Sequence, residues 1–498
     1  MRTNSFTASD NQSNILVSWK KNWIVLIFIY YLFYQVFIPI AINYGDIDPL
    51  NIAIKLSYNF VLFAPIFILW RKPNFGLLHP LSFPVIFSIA VGVLREPLKL
   101  LFPMVEGSAA KRFESHPLLV GSHQSEILEL MLKCDLLDML AILMTYLGFF
   151  SFYIRPKYVK NQIKGLNKTF LYFLFSISLV VLLYFLQRQG GLANHIISFA
   201  YGRFKSLSGT GHFRVIAQIG LLVGLVWFAI DKKALKNPLY WPIFIFAFGH
   251  GFIMSGSRSS IFVALIQFGL IWMMHHQKLP TGYSLLLGFL VLVSIGPLGE
   301  LRRMGRTDEK IDIEKILSNS IAEQIKSTEE EISARSSGFT AVVKKGISDE
   351  GLLWGRTYLG AIFFWVPRAI WPDKPRGAGA YTGTLLYRNN DLEDNSAGGE
   401  GGGIPPGPVG EAYWNFHIPG VIIMFLLFGA SLRYFLNLLI TNKSNKFVWV
   451  LYILVITRLD PSTISLVTFS QLAASLLLIW WIGWRPKRFN ISHAPLAS

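Results

Sequence analysis

Apolar runs of roughly 20 residues recur along almost the whole chain, and this repetition constrains the fold more than any other feature. A helix of that length crosses the hydrocarbon core of a bilayer, so such runs are typical of transmembrane helices. The sequence therefore predicts an all-α polytopic membrane protein. We place about 12 transmembrane helices near residues 22–44, 51–70, 81–103, 131–154, 169–187, 211–230, 239–255, 259–275, 283–298, 413–432, 447–457 and 464–484.

Composition supports this class of protein and excludes others. Of the 498 residues, 52% are hydrophobic and only 15% are charged, whereas a soluble domain carries about a quarter charged residues. The single cysteine, Cys134, excludes an intrachain disulfide and a multi-cysteine metal site. The sequence has no P-loop or dinucleotide motif, and no soluble basic domain accounts for its formal net charge of +17. We expect the lipid bilayer as a partner, and neither a nucleotide cofactor nor a nucleic acid.

The distribution of lysine and arginine predicts the orientation in the membrane. Cytoplasmic loops collect positive charge, and here the cations fall in alternate short loops in which acids are nearly absent. We therefore predict a multi-pass protein with both termini in the cytoplasm and a first span that is not a cleaved signal. The predicted inside loops contain Lys20, Lys21, Arg71, Lys72, Arg155, Lys157, Lys160, Lys164, Lys168, Lys232, Lys233, Lys236, Lys278, Arg433, Lys443, Lys446, Arg485, Lys487 and Arg488.

One predicted external loop, residues 299–410, is far longer than an ordinary connection, and loops of this length are usually functional or disordered. It separates an N-terminal transmembrane bundle at 1–298 from C-terminal transmembrane helices at 411–498.

Signals within this loop predict short helices and a lid. The charged segment 306–336 is compatible with a helix, and the apolar segment 357–371 is too short to span. The stretch WVPRAIWPDKPRG, residues 365–377, is stiffened by three prolines, and the glycine-rich stretch 377–403 is flexible by composition. A rigid segment followed by a flexible flap suggests a lid over an external site.

Cations also occur at the predicted outer face, where the orientation rule does not explain them. Each one alone fits a side chain that reaches lipid phosphates, and Arg458 also fits an ion pair with Asp460. As a group they favour a polyanionic ligand. Because arginine forms bidentate bonds to phosphate oxygens and stays charged, we expect a pyrophosphate. The residues are Arg203, Arg214 with His212 beside it, Arg258, Arg368, Lys374, Arg376 and Arg458.

We expect no metal ion at this site. No acidic pair stands out that would hold Mg²⁺ at the outer face, and several cations near the low-dielectric bilayer can stabilise a departing pyrophosphate instead. The stretch DLEDN, residues 391–395, has acids at near-ligand spacing, but it lies in the glycine-rich flap.

Three motifs follow one another along the chain: SGSRSSIF after a hydrophobic span, VPRAIWPDKP in the long external loop, and PPGPVGEAYWNFHIPGV at the start of the next span. Together they resemble the Wzy-type O-antigen polymerases, which polymerise oligosaccharide repeat units. The resemblance extends to the number of spans and the position of the large loop, so it covers most of the chain. It implies a fold similar to the GT-C membrane glycosyltransferases, and a chain-length regulator as a partner.

The resemblance also implies a reaction and a location. Members of this family act at the periplasmic face of the bacterial inner membrane. They transfer a glycan from undecaprenyl pyrophosphate to a lipid-linked repeat unit, with inversion at the sugar and without ATP.

The resemblance carries over individual residues by motif. They are the arginine of the SGSR turn, the arginine and lysine of the PR…WPDKP pattern, and the glutamate, tyrosine and asparagine of GE-x-Y-x-NF. In this chain they are Arg258, Arg368, Lys374, Glu411, Tyr413 and Asn415. The chain departs from the family at His417, where glycine commonly follows NF, and this either alters local packing or adds a titratable group.

For the general base we rank Glu411 first, then Asp373, His417 and His212. Glu411 fits equally well as an acid that favours the dipole at the start of a helix. The nearby tryptophans fit either stacking on sugars or the interfacial aromatic belt. The leaving-group cations are Arg214, Arg258, Arg368, Lys374 and Arg458, and the other substrate-binding candidates are Arg376, Tyr413, Asn415, Arg203 and His212.

Two other functions fit parts of the sequence. An O-antigen ligase shares the fold and the donor but transfers the glycan to a lipid A core, and the WPDKP and GE-x-Y-x-NF strings favour the polymerase over it. A flippase for lipid-linked glycans would use Glu126, Glu129, Asp135 and Asp138 as a proton relay, although this region also fits an external amphipathic helix. The long loop and the lack of an internal repeat disfavour a transporter.

Overall fold

All regular elements in the described part of the chain are helical, and that part contains no β-strand. The predicted spans at 22–44, 81–103, 283–298 and 464–484 lie almost wholly outside it, as do the segment 306–336 and most of the glycine-rich flap. The computed structural model describes residues 29, 33, 49–69, 72, 75–82, 85, 124–152, 168–196, 198, 211–255, 258–278, 338–363, 366, 370–387 and 405–458.

The eleven α-helices whose bounds are fully described are numbered here in chain order. They are α1 (Pro49–Leu69), α2 (Gln124–Ser151), α3 (Lys168–Arg188), α4 (Gly211–Ile230), α5 (Trp241–Ser255), α6 (Arg258–His276), α7 (Ile347–Glu350), α8 (Arg356–Ile362), α9 (Ala378–Tyr387), α10 (Gly407–Thr441) and α11 (Lys446–Arg458). Two 3₁₀ turns, Ala234–Lys236 and Pro238–Tyr240, join α4 to α5, and a π-helical segment, Val342–Gly346, leads into α7.

Three helices, α3, α4 and α10, are long and apolar enough to cross a membrane. The other apolar helices are shorter, with hydrophobic stretches at Leu56–Leu69, Pro238–Met254, Ser260–His276 and Lys446–Thr457. Helices occupy eight of the predicted span positions, but length and hydropathy support only these three as spans within the described residues. The largest differences in bounds are at α10, which ends at Thr441 rather than near 432, and at α2, which begins at Gln124 rather than near 131.

Contacts between neighbouring helices show that α3 to α6 run alternately up and down. The rings of Tyr184 and Phe213 join the end of α3 to the start of α4. The rings of Phe228 and His275 join the end of α4 to the end of α6. We call the end of the bundle with Arg214 and the start of α6 the arginine end, and the opposite end, with Lys168 and Lys232, the lysine end.

Helix α11 belongs to the lysine end at its start but reaches only part of the way to the arginine end. The rings of His275 and Trp449 lie 5.2 Å apart, and the Gln267 amide donates to the Thr457 hydroxyl at 3.0 Å. Gln267 is nine residues from Arg258, which is about 13 Å along a helix. The last residue of α11, Arg458, is therefore level with the middle of α6 and not with its first turn.

Helices α2 and α10 run parallel, since Lys133 lies near Tyr413 and Gly148 lies near Leu426, and they approach each other closely at two glycines. A Cβ atom at Gly148 would overlap the Leu426 carbonyl oxygen, and one at Gly429 would overlap the Thr145 carbonyl oxygen. Because backbone meets backbone there, only glycine fits at these positions.

Replacing Gly429 with alanine should therefore destabilise the protein, although alanine is the better helix former. Overpacking of this kind costs about 1–3 kcal/mol. Gly269 in α6 provides a matched control, because a Cβ there meets no atom within 4 Å. Thermal unfolding in detergent should show a lower midpoint for Gly429→Ala and an unchanged or higher one for Gly269→Ala. Equal midpoints for the two variants would contradict the close approach.

Helix α10 consists of two helical segments separated by a break. The second segment, residues 418–441, extends about 36 Å at 1.5 Å per residue, enough to cross a hydrocarbon core of about 30 Å. The helix is interrupted at Phe416 (φ −141°, ψ 19°) and His417 (φ 55°, ψ −150°), two residues before Pro419. Residues 407–415 thus form a separate helical segment at the arginine end, and the site is built around it.

Candidate functional site

The first turns of α10 are held by residues 338–363 of the long loop, which we call the loop cap. The Trp414 indole donates to the Gly346 carbonyl at 3.0 Å. The backbone amides of Leu353 and Trp354 donate to the carbonyls of Trp414 and Asn415, at 3.1 and 3.2 Å. Trp414 is fully buried, so it belongs to the core of the cap and is available neither for sugar stacking nor for the aromatic belt.

A chain of hydrogen bonds links the cap to the predicted base. The Asn415 side-chain amide donates to the Thr357 hydroxyl at 2.7 Å, and this hydroxyl bonds the Glu411 carboxyl. Asn415 also donates to the Glu411 backbone carbonyl at 2.8 Å, and its oxygen accepts from the Gly355 amide at 2.9 Å. Asn415 is fully buried and its polar atoms are used within the protein, so it orients Glu411 and has no free group for a ligand.

Glu411 itself is 7% exposed and lies beside two residues that the sequence did not single out. One is Thr357, its hydrogen-bond partner. The other is Tyr358, whose pKa is raised above its ordinary value by burial and by the nearby Glu411 carboxyl. The phenol therefore stays protonated at neutral pH and can donate a hydrogen bond. A carboxyl held next to two hydroxyl groups can accept a proton directly or through one of them.

Tyr413 and His417, two further predicted site residues, form a pair on the opposite side of the same turn. The Tyr413 hydroxyl lies 3.1 Å from His417 Nε2, and the two rings are 4.6 Å apart. His417 has a φ of 55° with ψ −150°, a region that is almost restricted to glycine. The motif resemblance leads us to expect glycine at this position. The backbone conformation of His417 suits glycine better than histidine.

We expect the substitution His417→Gly to stabilise the protein. A residue held in such a region costs about 1–3 kcal/mol, and part of this is recovered when glycine replaces it. The midpoint of thermal unfolding in detergent should rise by a few degrees. His417→Ala, which keeps the strain but loses the bond to Tyr413, should be less stable than the wild type. A glycine variant less stable than the alanine variant would contradict the strain.

The proline-rich stretch of the loop folds as a strap across α8. A Cβ atom at Gly360 would meet the carbonyl oxygens of Pro375 and Arg376, so the strap lies directly on this glycine. The Lys374 ammonium donates to the Val366 carbonyl at 2.8 Å and closes the strap on itself. Trp371 is half-buried and packs edge-to-face on a phenylalanine of the cap.

A groove of about 470 Å³ runs along the strap. The residues that line it include two acids, Glu350 and Asp373, two cations, Lys374 and Arg376, and Tyr381. Asp373 and Arg376 are exposed, as a ligand-contacting role requires, whereas Lys374 already uses one hydrogen bond within the strap.

Arg214 lies in the first turn of α4. Its side chain is exposed, as a ligand-contacting role requires. Gln218 is one turn further along the same face and is only 7% exposed. Its amide nitrogen has no hydrogen-bond partner in the described part of the chain. A buried donor without a partner costs about 1–3 kcal/mol, and an oxygen-rich ligand beside Arg214 would satisfy it.

The remaining predicted cations are described only in part. Arg258 is the first residue of α6, Arg458 the last of α11, and His212 the second of α4, and only their backbone positions are described. Arg203 and Arg368 lie outside the described residues.

The acidic region that suggested a proton relay is the first part of α2. Glu129 and Lys133 form a salt bridge of 2.8 Å on the exposed surface, and this hydrogen bond lowers the pKa of Glu129. Glu126 and Glu129 thus fit an exposed amphipathic helix. Asp138 lies further along α2 and is half-buried.

No protein-family model matches the chain, and no curated protein or solved structure is significantly similar to it. An assignment of function therefore rests on the residues of this site.

Proposed function

We propose that the chain is a membrane glycosyltransferase that polymerises lipid-linked oligosaccharide repeat units. The donor is a glycan on undecaprenyl pyrophosphate, the acceptor is a second lipid-linked unit, and the product is a surface polysaccharide. The observation that carries the proposal is the environment of Arg214. An exposed guanidinium group, with an unpaired amide donor one turn away among the described residues, is suited to bind the oxygens of a pyrophosphate.

A second observation concerns the end of the bundle at which the proposed base and Arg214 lie. Helix α10 ends near α11 at the lysine end, so its first turns lie at the same end of the bundle as Arg214 and the start of α6. Glu411 and Arg214 therefore belong to the same end of the bundle. This end corresponds to the outer face in the proposed orientation, which has about 12 spans, cytoplasmic termini and the lysine end inside.

In the proposed reaction one bond forms and one bond breaks at the anomeric carbon of the donor. The acceptor hydroxyl attacks the anomeric carbon of the donor, and the bond from this carbon to the pyrophosphate oxygen breaks. The proton of the hydroxyl passes to Glu411. Arg214 stabilises the negative charge that develops on the pyrophosphate. The leaving group is already activated, so the residues proposed here act without a nucleotide.

The test is a reconstitution of the purified protein with lipid-linked repeat units. A polymerase should release free undecaprenyl pyrophosphate and extend the glycan to a ladder of lengths. Movement of intact units across the vesicle membrane without release of the carrier would instead indicate a flippase. Release of the carrier only when a lipid A core is added would indicate a ligase. Either result would overturn the proposal.

A further inference from the structure

We propose that the lysine end contains a binding site for the phosphate group of an anionic lipid, formed by Lys232, His275 and Lys446. The site lies at the end of the bundle opposite Arg214 and does not depend on the proposed enzymatic function. Three separate elements supply it: the turn after α4, the last turn of α6 and the first turn of α11.

Lys446 is the central residue of this site. Its side chain is half-buried, and its ammonium lies 2.9 Å from the centre of the Trp449 ring. No carboxylate pairs with it among the residues that the structure describes. Lys232 is exposed in the turn after α4, and the last turn of α4 contacts His275 through the Phe228 carbonyl. Two such cations without an acid between them are stabilised when an anion binds to both.

His275 adds a polar atom that also needs a partner. Its Nε2 donates to the Phe228 carbonyl at 3.2 Å, and its ring packs 5.2 Å from that of Trp449. Its Nδ1 is buried and has no hydrogen-bond partner within the described ranges. A bound phosphate that shares a proton with this nitrogen, or a headgroup hydroxyl that donates to it, would satisfy it.

The nearest acid in sequence does not neutralise the cluster by contact with Lys446. The Asp231 carboxylate accepts the backbone amide of Lys233 at 2.9 Å and so belongs to the turn after α4. The lysine end as a whole is rich in cations, with Lys168 lying 5.6 Å from the centre of the Trp227 ring. The net charge of this region therefore favours an anion.

The position in the fold favours a lipid over a soluble anion. The site is at the ends of apolar helices, where tryptophan rings sit at the boundary between hydrocarbon and headgroups. Basic pockets between helix ends on the cytoplasmic side are typical sites for anionic headgroups such as cardiolipin. A soluble phosphate offers the same oxygens but no acyl chains to lie along the bundle.

The experiment measures lipid binding to the full chain in detergent by native mass spectrometry, with cardiolipin and with zwitterionic phosphatidylcholine. The double variant Lys232→Gln/Lys446→Gln should bind cardiolipin roughly 30-fold more weakly than the wild type, because each lysine near a charged headgroup contributes about a factor of five. Lys236→Gln removes one charge from the same end but lies outside the cluster, and it should bind almost as the wild type does. Phosphatidylcholine should not distinguish the proteins.

Three results complete the test. Lys446→Arg should retain cardiolipin, since it keeps the charge.

Inorganic phosphate should neither displace cardiolipin nor raise the unfolding temperature of the wild type above that of the double variant. If it does both, the source of the anion is soluble phosphate and the lipid assignment is wrong. Equal cardiolipin affinity in the double variant and in Lys236→Gln would overturn the site itself. Should the double variant fail to fold, Lys446→Met keeps the packing on Trp449 and is expected to lose affinity alone.

Discussion

The substitution Glu411→Gln is expected to lower the rate of glycan polymerisation by about 10²- to 10⁴-fold, the usual contribution of a positioned general base. Glutamine has the same shape and can still accept the hydrogen bond of Thr357, so the link to the cap should remain. What it loses is the capacity to take a proton from the acceptor hydroxyl. The rate is measured as release of undecaprenyl pyrophosphate from lipid-linked units by the purified variant.

The matched control is Glu129→Gln, which removes an exposed carboxylate of α2. It should react at the rate of the wild type. The pH profile separates a base from a structural acid, since the wild-type rate should rise with pH as the base ionises and the glutamine variant should lose this rise. A Glu411→Gln variant with full activity and an unchanged profile would show that Glu411 only holds the start of α10.

The second large effect is expected at Arg214. Removing one preorganised donor to a developing negative charge costs about 10²- to 10³-fold in rate. We therefore expect Arg214→Gln to polymerise at least about 100-fold more slowly than the wild type. The loss should be in kcat more than in KM, because the charge on the pyrophosphate oxygen grows in the transition state.

Two comparisons make this result specific. Arg188→Gln removes an exposed arginine at the same end of the bundle and should leave the rate unchanged. Arg214→Lys keeps the charge but not the planar fork, so its rate should lie between those of the wild type and the glutamine variant. If Arg214→Gln is as active as Arg188→Gln, Arg214 is an ordinary interfacial arginine and the pyrophosphate site lies elsewhere.

The sequence predicted the positions of helices well because the bilayer imposes a simple rule on length and hydropathy. The limits of α3, α4 and α5 agree with the prediction within a few residues. The start of α2 was placed too late, because its first turns are charged and exposed and carry no apolar signal. The number of spans stays a prediction.

The details of the site could not be predicted in the same way, because they depend on contacts between distant parts of the chain. Thr357 and Asn415 are 58 positions apart, and nothing in either segment signals that they bond. Trp414 stands among motif residues, yet it is a core residue of the cap. Gln218 could have been noticed as a lone amide in an apolar helix one turn from Arg214. For Lys374 the charge was evident from the sequence, but its bond to the Val366 carbonyl was not.

The break at Phe416 and His417 has a mechanical consequence. The segment before it is fastened to the loop cap, and the segment after it is wedged against α2 through Gly429. Since the regular helical geometry stops between the two, the direction of the first segment is set by its bonds to the cap and not by the span that follows. In the proposed polymerase, Glu411 is therefore positioned by the loop cap and not by the membrane-spanning part of α10.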